Sequence, residues 1–226
     1  MKILVLGDIH GRSIWRDIIL KENDADKIIF LGDYVSTNNP YITSEVQISE
    51  LTKILTYKDI NKDKVILLRG NHDMQHLGYS WAECSGFIYD VFSYMSGSEV
   101  KDRFLNLTQW IYVYNNIIFS HAGISKVWLE NIGLEINSIN NLIPSEIFGF
   151  WSTKMDDYYG TSPTQPCTWI RPSTLEDNLV EGYIQVVGHT STFKCREYCP
   201  GLWLCDALEN NSYLVIEDGE FVSKIL

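Results

Sequence analysis

No stretch of this chain approaches the roughly 20 consecutive apolar residues of a membrane-spanning helix. The first apolar run, Ile3 to Leu6, stops at Gly7-Asp8, too short for a signal peptide. Positive charge is also scarce. Eighteen Lys and Arg face twenty-nine Asp and Glu, a net charge of −11, which repels polyanions and argues against stable nucleic-acid binding by phosphate neutralisation. Cysteine is sparse and odd in number, at five, so the expected setting is a reducing compartment, the cytoplasm, with no membrane association. Repeats, low-complexity tracts and linker-like segments are lacking too, so residues 1–226 are expected to form one domain. What is abundant is core-forming material, 45% hydrophobic and 13% aromatic residues, enough to bury a sizeable interior.

Five apolar, β-branched runs each end at a short polar signature. Lys2–Leu6 leads into Gly7-Asp8-Ile9-His10-Gly11, Ile28–Leu31 into Gly32-Asp33, and Val65–Leu68 into Arg69-Gly70-Asn71-His72-Asp73. Ile117–Phe119 leads into Ser120-His121-Ala122-Gly123, and Ile184–Val187 into Gly188-His189-Thr190. Such runs read as buried strands. Helical spacing appears in Ser13–Asn23 and, after a capping box of Ser44 with Gln47, through Val46, Ile48, Leu51, Ile54 and Leu55. This is the βαβ alternation of a layered α/β fold. Further helices are expected over Trp81–Met95, over Lys101–Asn106, after Ser125 as N-cap over Lys126–Asn131, and from Pro144 to about Met155. Tyr158–Pro172, with three of the six prolines, is expected to cross the surface as a loop. Strands follow at Leu202–Cys205, Ser212–Ile216 and Glu220–Ile225, with an Asp218-Gly219 turn between the last two.

Chemistry gathers where the runs end: Asp8 and His10, Asp33, Asn71 and His72, His121, His189. Oxygen and imidazole donors delivered by strand ends into one crevice suit a pair of divalent cations. Two ions about 3.5–4 Å apart can hold a hydroxide nucleophile between them and grip phosphoryl oxygens.

In order and spacing, these five motifs resemble the calcineurin-like metallophosphoesterase superfamily, and within it the branch of serine/threonine protein phosphatases and symmetrical dinucleoside tetraphosphatases. The resemblance implies a single-domain α/β/β/α sandwich of two mixed sheets with a dimetal site at the strand carboxyl ends. It implies that Asp8, His10 and Asp33 hold one metal and that Asp33, Asn71, His121 and His189 hold the other. His72 is then the general acid, with Asp73 beside it as a further catalytic candidate that braces the loop or His72, or caps a helix. Mn²⁺ is the expected ion, with Fe, Zn, Ni and Mg left open.

The sequence departs from the protein phosphatases directly after the bridging Asp. Their second Asp, which orients the catalytic His, and their phosphate-gripping Arg are replaced by Ser36 and Thr37. Ser36 can hydrogen-bond an imidazole without stabilising its positive charge, and Thr37 offers a neutral contact in place of a bidentate cation. Phosphate contact therefore passes to Arg171, in a Trp169-Ile170-Arg171 sequence similar to the Trp-x-Arg of bacterial members, with Arg12 second and Asn71 also facing substrate. The expected reaction is metal-dependent hydrolysis of phosphomonoesters, on a phosphorylated protein or a small phosphoester. Dinucleoside tetraphosphate or other nucleotide hydrolysis is the alternative, suggested by His121-Ala122-Gly123-Ile124, and a non-catalytic scaffold is the third reading.

Other residues carry less. His76 is expected to be solvated or packed. Cys195, Cys199 and Cys205 match no zinc spacing, and Cys84 and Cys167 are isolated. Tyr34, Tyr158 and Trp169 are the aromatics placed to stack a base, and Asp156-Asp157 reads as a solvated turn.

Overall fold

The computed structural model describes residues 1–79, 84–149 and 159–226. In chain order the elements are β1 (Lys2–Leu6), α1 (Trp15–Lys21), β2 (Lys27–Phe30), α2 (Ser44–Ile60), β3 (Val65–Leu68) and α3 (Asn71–His76). Next come α4 (Tyr89–Met95), α5 (Ser98–Leu107), β4 (Thr108–Gln109), β5 (Ile111–Tyr114), β6 (Ile117–Ser120), α6 (Lys126–Ile132), α7 (Pro144–Gly149) and α8 (Pro172–Leu175). The chain closes with β7 (Ile184–Ser191), β8 (Arg196–Cys199), β9 (Leu202–Asp206), β10 (Ser212–Glu217) and β11 (Glu220–Ile225).

Two mixed sheets result, ordered β11-β10-β1-β2-β3-β4 and β5-β6-β7-β9-β8. Strands β1 to β4 run parallel, as do β6, β7 and β9, while the outer strands β10, β11, β5 and β8 are antiparallel. The central runs are continuously apolar because both of their faces are covered. Ile3, Val5, Ile29, Ile66 and Leu68 meet Ile117, Phe119 and Val186 of the second sheet. On the opposite face Leu4, Leu6, Ile28, Phe30, Val65 and Leu67 pack with Ile18 of α1 and Leu51, Ile54 and Leu55 of α2. The far side of the second sheet buries Val187, Leu202 and Leu204 against Ala122, Ile170 and Leu175.

Several local expectations are corrected. Helix α2 is capped by Thr43, whose side chain accepts from Val46 N, rather than by a Ser44–Gln47 box. Gln47 instead faces inward, accepting from Ser36 N at 2.7 Å and donating to Ile42 O. The helix expected over Trp81–Met95 begins only at Tyr89; Cys84–Ile88 is not helical, and Trp81 lies outside the described residues, as do Asp156, Asp157, Tyr158 and the end of the segment opened by Pro144. The Pro-rich stretch is no surface crossing: Gln165 through Thr168 and Ile170 are buried, and Cys167 O accepts from Ala122 N at 2.7 Å. Proline removes a donor without preventing burial, since the remaining backbone groups find partners under the β6 loop. No described helix is long and apolar enough to cross a membrane.

Candidate metal centre

Five chain segments meet at one cleft of about 670 Å³ because the parallel strands of each sheet share a direction and so aim their carboxyl ends together. Asp8 and His10 follow β1, Asp33 follows β2, Asn71 and His72 open α3 after β3, and His121 follows β6. His189 sits near the end of β7, where the β7–β9 register shifts between Val187 and Ser191. This bulge turns the imidazole out of the ladder. The backbone is strained where the chemistry gathers: His10 (φ +46°), Asp33 (+52°), Ser36 (+71°) and His189 (+62°) all lie in the left-handed region. Each costs about 1 kcal/mol or more, which the surrounding hydrogen bonds must hold in place. Close approach of neighbouring loops adds another demand. A Cβ at Gly70 would sit 2.0 Å from Asp33 Oδ1, and one at Gly188 would sit 2.2 Å from Asp8 Oδ1.

Two overlapping sets of ligand atoms each lie within 4.8 Å of one another: Asp8, His10 and Asp33, and Asp33, His121 and His189. The carboxylate of Asp33 is common to both. Each imidazole is oriented by its other nitrogen. His10 Nδ1 donates to the carbonyls of Val35 and Ser36, which turns Nε2 toward Asp8 Oδ2 at 3.9 Å. His121 Nδ1 donates to Leu31 O at 2.8 Å, leaving Nε2 at 2.9 Å from Asn71 Oδ1 and 3.3 Å from Asp33 Oδ2. His189 works in reverse, with Nε2 on Trp169 O at 3.2 Å and Nδ1 at 3.0 Å from Asn71 Oδ1. Asn71 Nδ2 donates to Cys84 Sγ at 3.3 Å, which fixes its carbonyl oxygen toward the two imidazoles. Unprotonated nitrogens thus face carbonyl and carboxylate oxygens, acceptor against acceptor, an arrangement that a shared cation resolves.

The electrostatics favour a cation at the same place. Burial and the nearby Asp206 push the Asp8 carboxyl well above its ordinary range. Burial opposes a charge on His121, yet Asp33 and Asp8 outweigh it and lift the imidazole to about 10, so without an ion a proton must stand in. Burial would raise Asp33, but His121, His72 and His10 hold it far below the usual carboxylate value. His189 is pushed well down by burial, His121 and Arg171, which favours the neutral ligand form. Two hard carboxylates, an amide oxygen and three imidazoles fit two divalent ions.

His72 stands at the rim of this set. Its backbone N donates to Asp33 Oδ1 at 2.9 Å, its Nε2 lies 3.9 Å from Asp33 Oδ2, and its Nδ1 is 2.8 Å from Ser36 Oγ. Burial pushes this imidazole down to about 4, and an arriving phosphate dianion acts in the opposite sense. Asp73 does not face the His72 ring. Its carboxylate is buried and accepts from the main-chain N–H groups of Asp33 and Gly70 on one oxygen and of Tyr34 on the other, each at 2.9 Å. Such a carboxylate clamps the β2 and β3 loops together and caps α3, and does not reach the cleft.

The two arginines both line the cleft. Arg171 Nη1 donates to His189 O at 3.3 Å and Thr190 Oγ1 at 3.2 Å, anchoring the guanidinium beside the second ligand set. Arg12 donates to Ile9 O and lies 3.9 Å from Glu209, which offsets part of its charge. Thr37 also lines the cleft. Tyr34 is no stacking surface: it is fully buried against Phe30 and Phe104, with its hydroxyl on Leu68 O. Trp169 does line the wall, its ring 5.4 Å from that of His189, and Tyr159 stands at the rim. His76 is buried and packed, stacked on Phe87. Sequence reasoning missed Asp206, the last residue of β9, which lines the cleft and perturbs Asp8. Its signal was a sixth apolar run, Leu202–Cys205, ending in an acid.

The fold has counterparts among solved structures. A tyrosine phosphatase described as cold-active, from a psychrophilic Shewanella species, superposes with a TM-score of 0.70 at 18% identity, covering 99% of this chain and 77% of that one. A protein serine/threonine phosphatase from Saccharomyces cerevisiae gives a TM-score of 0.62 at 14% identity, covering 99% and 79% respectively. The family model for calcineurin-like phosphoesterases matches residues 1–207, a span that contains every candidate ligand named above. The chain belongs to the calcineurin-like phosphoesterase family, whose members hydrolyse phosphoesters with divalent metals.

Proposed function

We propose that this chain is a phosphomonoesterase of the protein phosphatase type, acting on a phosphorylated side chain or a small phosphoester. The observation that carries the reading is the convergence of both ligand sets, His72 and Arg171 on a single open cleft. Asp8, His10 and Asp33 would hold one ion, and Asp33, Asn71, His121 and His189 the other. Ions bound there supply Lewis acidity, lowering the pKa of water and neutralising phosphoryl oxygens. Arg171, tethered through Nη1, offers its remaining N–H groups to the phosphoryl oxygens and so orients the phosphorus for in-line attack. Arg12 is the weaker contributor because Glu209 competes for it. His72 holds a proton at Nε2 for the leaving oxygen, a role worth roughly 10²–10⁴ in rate.

A second reading, hydrolysis of a dinucleoside polyphosphate, is favoured by Trp169 and Tyr159 on the cleft wall, since each presents a ring on which a base can stack. Metal-loaded protein assayed on an aryl phosphate, a phosphoserine peptide, diadenosine tetraphosphate and a cyclic nucleotide separates the two. Preference for the peptide and aryl ester supports the first reading. Preference for the tetraphosphate overturns it in favour of the second, and no turnover on any of the four favours the scaffold.

A further inference from the structure

The residue after the bridging loop, Ser36, is nearly fully buried and held in the left-handed region. Its hydroxyl donates to Ser85 O at 2.8 Å. With its single hydrogen committed there, Ser36 Oγ can only accept at its other contact, His72 Nδ1 at 2.8 Å. The His72 ring therefore keeps a hydrogen on Nδ1 in either charge state and turns Nε2 to the cleft, where its acid form holds the second proton.

Ser85 is not a casual partner. Residues Cys84 to Ile88 form a strap fastened at five points to the groups that build the site. Cys84 Sγ takes the Asn71 amide hydrogen, Ser85 O takes the Ser36 hydroxyl, and Phe87 stacks on His76 at 4.9 Å. Ile88 N donates to His76 Nε2, whose Nδ1 in turn donates to His72 O at 2.9 Å. Gly86, at φ +70°, lies so near that a Cβ there would meet Thr37 N and C at 3.0 Å. The strap and the Ser36–Thr37 turn are thus seated on one another, and His72 is held from below by His76 and from the side by Ser36.

We propose that Ser36 is the positioning residue of His72, and that the chain His72 Nδ1–H to Ser36 Oγ–H to Ser85 O replaces an orienting carboxylate with a neutral tether supplied by the strap. The inference rests on the phosphomonoesterase reading. As an oxygen derived from water bonds to phosphorus, the bond from phosphorus to the leaving oxygen breaks and its electron pair stays on that oxygen. The Nε2 proton passes to it, leaving a neutral imidazole whose Nδ1–H remains on Ser36. Because only the protonation of the leaving group is steered, the tether matters for alkyl esters and little for a nitrophenolate, which departs without a proton.

Two measurements test this. In metal-loaded Ser36→Ala, turnover of an alkyl phosphate or a phosphoserine peptide is expected to fall about tenfold or more, with 4-nitrophenyl phosphate changed by less than about threefold. Gly86→Ala, which pushes the strap off Thr37 while keeping the hydroxyl, is expected to give the same split. Equal losses on both ester types, or none, in Ser36→Ala overturn the proposal. If His72→Gln produces the split and Ser36→Ala does not, only the proposal falls; if His72→Gln leaves both rates unchanged, the acid role of His72 falls with it. The second readout needs no activity. In metal-free protein at pH 7.5, ¹⁵N NMR is expected to find neutral His72 protonated on Nδ1, opposite to the preference of free histidine, and to find that form lost in Ser36→Ala. A His72 protonated on Nε2 in the unsubstituted protein overturns the tether directly.

Discussion

Asp73 is where a carboxylate that serves the proposed general acid His72 can be told apart from one that merely holds loops. Its two oxygens receive three main-chain N–H groups, so Asp73→Asn would set an NH₂ group against at least one of those donors. A buried donor left unsatisfied costs about 1–3 kcal/mol, and the expected loss on urea denaturation is about 2 kcal/mol or more, accompanied by weaker metal binding. Unchanged stability with a selective loss of turnover would instead make Asp73 a catalytic group. The clustering of the candidate metal ligands was legible in the sequence because each lies at the end of an apolar run, and a strand end followed by Gly and a donor is a local pattern. Tyr34 and Asp206 were not. Tyr34 neighbours Asp33 in sequence yet turns into the core, and Asp206, although it ends an apolar run, is brought to Asp8 only by the packing of the two sheets, which the sequence does not display.

At the scale of elements, the parallel core and the β10–β11 hairpin were readable and the short edge strands were not. Strands β4 and β8 carry polar residues and sit at sheet edges, so neither hydrophobic alternation nor length marks them. The Pro-rich stretch was misread because composition reports turn chemistry and not depth. The end of β7 illustrates how an element enforces the site. Gly188→Ala would drive a Cβ into Asp8 Oδ1, and the carboxylate also accepts from His189 N at 3.0 Å. The expected result is a loss of about 10–100-fold in affinity for one of two ions, read by calorimetric titration, with the second ion largely retained. Further from the cleft, Glu22 at the end of α1 ties the helix to the first sheet through Lys2, Lys224 and Tyr213. Burial favours its neutral form, but these hydrogen bonds prevail and lower it from 4.5 to about 2. A depressed carboxyl stabilises the fold fully above its unfolded value and loses that contribution as pH falls toward 2. Glu22→Gln is therefore expected to cost at most about 3 kcal/mol at pH 7, with the gap from the unsubstituted protein closing in acid. A gap that stays constant from pH 7 to pH 3 would remove the ionic explanation.

For the whole molecule the scarcity of positive charge acquires a specific meaning. At −11 the chain repels anions in general, and the four positive charges of two divalent ions would bring it only to −7. Those charges are concentrated where Asp8, Asp33 and Asp206 crowd a low-dielectric cleft, so a phosphoryl group meets local attraction within a repulsive surface. The same crowding would make ions held there structural as well as chemical, because the buried Asp33 and Asp8 otherwise keep a proton on His121. Each feature depends on the claim that one carboxylate, Asp33, serves two ions. The direct measurement is a titration of metal-stripped protein with Mn²⁺, following binding and 4-nitrophenyl phosphate hydrolysis together, on the unsubstituted chain and on Asp33→Asn. The expected result is no turnover without metal, activity that saturates only as the second equivalent binds, and an Asp33→Asn chain that binds both ions weakly and is inactive. Turnover undiminished in the presence of chelator, or an Asp33→Asn chain that binds and hydrolyses like the unsubstituted one, would contradict it.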